Sequence, residues 1–107
     1  MATSLRYNVS VPAKPANLTR ETATALAKNF DRRYERARVN ATYDNVTVDR
    51  MSFREVNVQR IDRGFEVTVR LYVQISGEDL HAKWAYPTTY RITDREFERE
   101  GRTLTCW

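Results

Sequence analysis

The chain is poor in the residues that build specialised chemistry. Its 107 residues include three glycines, three prolines, one cysteine and one histidine. Three glycines, Gly64, Gly77 and Gly101, cannot make a glycine-rich phosphate loop or a nucleophile turn, and each is placed like a turn or tail residue. The single cysteine, Cys106, excludes an intrachain disulfide and is expected to be an inert thiol, with a linked dimer as the alternative. The lone His81 has no cysteine at metal-ligand spacing and sits on the outward parity of its segment, so no catalytic residue, metal or cofactor is expected. No run approaches the roughly 20 apolar residues of a membrane-crossing helix. Met1 to Arg6 lack the basic and apolar regions of a signal peptide, so the chain as given is expected to be soluble.

What is present suits one small domain with one core. The formal charge is +4, and all but three of the 18 basic residues are arginine, the lysines being Lys14, Lys28 and Lys83. Arginine suits bidentate pairing with carboxylate or phosphate. The 14 acidic residues are interleaved with the basic ones, as on a mixed, salt-bridged surface, which favours a protein partner over nucleic acid.

Alternation of Leu5, Tyr7, Val9 and Val11 with polar residues predicts a strand over 5–11, broken by Pro12 and Pro15. Thr19 can cap a helix, with Leu18 stapled onto Ala23, and residues 20–38 contain neither glycine nor proline. Ala23, Leu26, Ala27, Phe30, Tyr34 and Ala37 form its apolar stripe, which places Arg20, Lys28, Asp31, Arg32 and Glu35 on other faces. Arg32, Arg33, Arg36 and Arg38 are read as meeting the negative end of the helix dipole. From Thr42 to Thr93 the period becomes two, as in an antiparallel meander. Val46 and Val48 share a parity, Met51 and Phe53 take the opposite one, and Val56 and Val58 revert, which predicts a long, bent strand, either with bulges near Asp49 and Arg54 or with a sharp bend there. Asp62-Arg63-Gly64 is a tight turn with the glycine at positive φ, and Phe65 to Ile75 alternate without fault as the central strand. A weak last strand or tail is expected over 96–106.

The expected fold is therefore α+β, with one amphipathic helix laid across a curved antiparallel sheet of four or five strands. The order strand, helix, meander resembles the cystatin-like and NTF2-like folds, in which a curved sheet wraps a helix. The Gln-x-Val-x-Gly hairpin of cystatins is absent, since Gln74-Ile75-Ser76-Gly77 has another spacing, and protease inhibition is not implied. The stretches Asn17-Leu-Thr-Arg-Glu-Thr-Ala23, Asp31-Arg-Arg-Tyr-Glu-Arg36, Asp62-Arg-Gly-Phe-Glu-Val67 and Tyr90-Arg-Ile-Thr-Asp94 resemble small exported or lipid-anchored proteins of halophilic archaea. That resemblance implies export but no activity.

Acceptor triplets for N-glycosylation occur at Asn8-Val-Ser10, Asn17-Leu-Thr19, Asn40-Ala-Thr42 and Asn45-Val-Thr47. Six asparagines, with serine and threonine at about 15 % of residues, predict about one such triplet by chance, so four point to an extracellular or cell-envelope glycoprotein. The alternative is that these residues mark caps and strand ends in a cytoplasmic protein. On the outward sheet face, Arg70, Tyr72, His81, Lys83 and Arg91 are candidate binding residues for a protein partner or for self-association, with nucleic acid as the alternative. Phe30, Tyr34, Trp84 and Tyr86 are expected inward, as core or as the wall of a pocket in a small NTF2-like enzyme. The sequence is read as a non-catalytic binding or assembly module.

Overall fold

A computed structural model describes Tyr7 and residues 9–107. The helix α1 spans Arg20–Thr42. Thr19 caps it: its side chain accepts the Thr22 backbone N–H at 3.1 Å, and the Thr22 hydroxyl accepts the Thr19 N–H at 2.8 Å. The helix runs four residues past Arg38 because Val39, fully buried, still has apolar surface to cover. The arginines therefore lie mid-helix, and the last turn carries no basic residue, which removes the dipole account of them. Three of the four meet aromatic rings instead, while Arg36 is exposed: Arg32 lies over Phe53 at 5.2 Å, Arg33 over Phe30 at 5.8 Å and Arg38 over Trp84 at 4.8 Å.

Six strands follow: β1 (Thr47–Ile61), β2 (Gly64–Ser76), β3 (His81–Trp84), β4 (Pro87–Thr93), β5 (Glu96–Arg99) and β6 (Arg102–Cys106). They form one curved, unclosed antiparallel sheet in the order β1-β2-β4-β5-β6, with β3 also on β2. The helix packs on one face, mainly against β2. The β1–β2 register shifts between Val48 and Arg50 and again between Phe53 and Glu55, leaving Asp49 and Arg54 as the extra residues where the sequence parity changes. The central strand β2 buries Phe65, Val67, Val69, Leu71, Val73 and Ile75.

Residues 9–11 make no strand pairing, and the expected strand at residues 5, 6 and 8 lies outside the described residues. With its prolines the connector runs as an extended strap, tied by Arg33 donating to the Ser10 carbonyl at 3.0 Å and the Trp107 indole donating to the Pro12 carbonyl at 3.3 Å. The expected last strand is instead a hairpin, β5–β6, turning at Glu100 and Gly101 with φ of 48° and 80°. It holds because Phe97 and Leu104 are both buried. In the first hairpin the positive φ belongs to Arg63, at 68°, and not to Gly64. Gly64 is required for close approach: a Cβ there would strike the Ile92 carbonyl oxygen and lie 2.7 Å from the Thr93 Cα.

Two apolar clusters lie between helix and sheet. The larger joins Ala23, Ala27 and Phe30 to Val67, Val69, Tyr90, Ile92, Phe97 and Leu104. The smaller gathers Val39 with Leu71, Val73 and Ile75 and is flanked by Tyr43, Met51 and Trp84. The strand after β2 breaks at Ala85 and Tyr86, between β3 and β4.

Candidate functional site

Two surfaces carry the candidate residues. On the outer face, the side opposite the helix, alternation along β2 presents Glu66, Thr68, Arg70, Tyr72 and Gln74. Arg70 is committed within the protein: its Nε donates to the Ala85 carbonyl at 2.9 Å and an Nη donates to Glu55 at 3.2 Å. Arg91 faces Glu66 at 3.9 Å. Both pairs are exposed and contribute little to stability. Tyr72 donates to the Gln74 side chain at 3.0 Å, and the Arg54 guanidinium lies 4.4 Å over its ring. Gln74 stands between Arg50 of β1 and Lys83 of β3, with His81 opposite Ser76 one step along. Gln74, His81 and Lys83 border a shallow depression of about 220 Å³. Among the described residues, Arg50, Arg54 and Lys83 make no ion pair. The structure thus separates Arg70 and Arg91, which are paired, from Lys83 and His81, which are not, and adds Arg50 and Arg54. Those two lie on β1, whereas the sequence candidates for the outer face all lie on β2 and the strands that follow it.

On the helix side a groove of about 320 Å³ is lined by Tyr7, Tyr34, Glu35, Arg38, Tyr86, Thr88 and Arg99. It opens where the strand breaks at Ala85 and Tyr86. Only Tyr34 and Tyr86 of the four expected pocket residues line it. Phe30 is fully buried among Tyr34, Tyr90 and Phe97, with ring centroids 5.3–6.1 Å away. Trp84 stands behind the wall, stacked on Tyr43 at 6.3 Å, and its indole donates to Glu35 at 3.1 Å. Tyr86, expected inward, is 73 % exposed, because β3 has ended and β4 has not begun, so strand alternation does not hold at that residue.

Beneath the groove runs a polar chain that the sequence did not reveal. Asp31, expected on a solvated face, is 1 % exposed and accepts the Tyr90 hydroxyl proton at 2.6 Å. Burial pushes its carboxyl up to about 6, opposed by the Tyr90 hydrogen bond and the Arg99 charge. Burial, reinforced by the Asp31 charge, pushes the Tyr90 hydroxyl up as well, so it stays protonated as the donor. Arg99 Nε donates to the same hydroxyl oxygen at 3.2 Å, and its guanidinium lies 3.9 Å from the Tyr34 ring centroid. A signal for Asp31 was present, since it follows Ala23 and Ala27 at successive steps of four on the buried row. Its partners, on β4 and β5, had none.

Among the described residues no group of three or more His, Cys, Asp or Glu could hold a metal ion, and no helix is long and apolar enough to cross a membrane. Asn17, Asn40 and Asn45 are exposed, while Asn8 lies outside the described residues. Cys106 is exposed. Comparison with known protein families, curated proteins and solved structures finds no match for this chain.

Proposed function

We propose that this chain is a non-catalytic binding module whose outer sheet face docks an acidic protein surface. The observation that carries the proposal is the group of unpaired cations Arg50, Arg54 and Lys83, set around Tyr72 and Gln74 on a face that no other described element covers. Strand pairing holds the backbone of Arg50 and Lys83, and Arg54 is held against Tyr72, so little order has to be created on binding, and arginine beside tyrosine is the usual composition of an interface anchor. Nucleic acid is the weaker reading. A single-strand platform needs several bare rings for base stacking, whereas the one β2 tyrosine on this face already has Arg54 over its ring. The likeness to cystatin-like and NTF2-like folds rests on element order and brings no activity with it.

We further propose that the module works outside the cell. Support comes from the four acceptor triplets, with Asn17, Asn40 and Asn45 exposed. Thr19 of one triplet is also the helix cap, which accounts for that triplet structurally. Intact mass of the protein from its native source should exceed the sequence mass by glycan increments; an unmodified mass refutes export by this route.

The docking reading is tested with a ten-residue poly-glutamate peptide and a single-stranded ten-nucleotide DNA, each titrated at two salt concentrations. The wild type should hold the peptide more tightly than the DNA, and Arg50→Glu with Arg54→Glu should abolish peptide binding with the melting temperature unchanged. Equal peptide binding by the variant removes the proposal, and tighter DNA binding with a steep salt slope transfers the face to nucleic acid.

A further inference from the structure

The groove on the helix side holds an arginine whose outer edge meets no acceptor among the described residues. Arg99 is half-buried and held in two ways: Nε is tied to the Tyr90 hydroxyl at 3.2 Å, and the guanidinium lies over Tyr34 at 3.9 Å from the ring centroid. Its Nη groups, the edge that pairs bidentately with carboxylates, donate to no acceptor, and Arg99 joins no ion pair among the described residues. Asp31 reaches it only through the Tyr90 hydroxyl. The other groove cation, Arg38, is already neutralised by Glu35 at 2.8 Å. One uncommitted fork therefore remains, in a groove walled by Tyr34 and Tyr86 with Thr88 beside them. Its volume of about 320 Å³ is that of a small-molecule site.

We propose that this groove binds a small organic monocarboxylate with a flat apolar body, the carboxylate on the Nη edge of Arg99 and the body against the exposed ring of Tyr86. A single guanidinium fork matches one carboxylate. A phosphate dianion would call for a second free cation, which Arg38 cannot be while Glu35 holds it. The exposed Tyr86 ring serves an apolar body and would be wasted on a bare inorganic anion. The ligand supplies the direct acceptor that the Arg99 Nη groups lack, since Asp31 acts on Arg99 only by charge across the Tyr90 hydroxyl. Because the groove lies on the helix side, this site is independent of the outer face.

The test uses phenylacetate as the probe, with 2-phenylethanol as its neutral counterpart and inorganic phosphate as an anion without a body. Calorimetric titration is paired with nuclear magnetic resonance of the Arg99 Nε–H. Phenylacetate should bind saturably and shift that resonance, and the alcohol and phosphate should each bind about tenfold more weakly or worse. Arg99→Gln should lose about tenfold in affinity. Because Arg99 also supports Tyr90, the second variant is Tyr86→Ala, whose exposed ring carries no fold; it should bind about threefold more weakly with an unchanged melting temperature. Absence of saturable phenylacetate binding overturns the proposal. So does phosphate binding as tightly as phenylacetate, or wild-type affinity in both variants.

Discussion

Replacing Asp31 by Asn should remove one buried group's share of the pH dependence of stability between pH 4 and 7. The amide keeps an oxygen to accept the Tyr90 hydroxyl proton but cannot ionise. In the wild type, burial raises the Asp31 carboxyl from its ordinary 3.8 to about 6. Between those values the folded protein binds more protons than the unfolded chain, so stability falls as pH rises. The contribution is complete below 3.8, is lost as pH rises through about 6, and is constant above that. A change of about two pH units, at about 1.4 kcal/mol each, makes the loss about 3 kcal/mol. At 1 % exposure Asp31 needs no discount for solvent screening. Urea unfolding of both proteins at pH 4, 5, 6 and 7 measures it, since the difference between them cancels the exposed carboxylates they share. From pH 4 to 7 that difference should move by most of this, about 2.4 kcal/mol, in favour of the variant. A constant difference would mean that the carboxyl is not desolvated in solution. Movement in favour of the wild type would mean that Arg99 and Tyr90 outweigh burial, and the polar chain would need another account.

Three other substitutions test the fold directly. Gly64→Ala drives a methyl into the Ile92 carbonyl, which is fixed by sheet pairing and cannot retreat, so it should cost about 3 kcal/mol by chemical denaturation; a neutral result would show the β2–β4 contact to be looser than described. Thr19→Ala removes the reciprocal cap and should lower stability by about 1 kcal/mol, seen as a fall of about 4 °C in the melting temperature. Trp84→Phe keeps a ring on Tyr43 but loses the indole donor to Glu35 and weakens the Arg38 contact, for about 1 kcal/mol in thermal unfolding.

The sequence determined by itself whatever depends on local period and on single residues that force the backbone. The capped start of the helix, the uninterrupted alternation of β2 and the two parity changes at Asp49 and Arg54 follow from which positions are apolar, because a strand that buries one face must spend an extra residue to change phase. The side chains that matter most were decided by tertiary structure. Asp31 was read as solvated because carboxylates usually are; it is buried because β4 delivers Tyr90 to it from 59 residues away. Tyr86 was read as inward because alternation was carried through a place where pairing with β2 stops. Arg99, one of 15 arginines, is set apart by what β5 lays it against: a hydroxyl at its Nε, the Tyr34 ring 3.9 Å from its guanidinium and, among the described residues, no carboxylate at its outer edge. No periodicity encodes such a meeting of distant strands, because period reports which face a residue takes and not which residue it finds there.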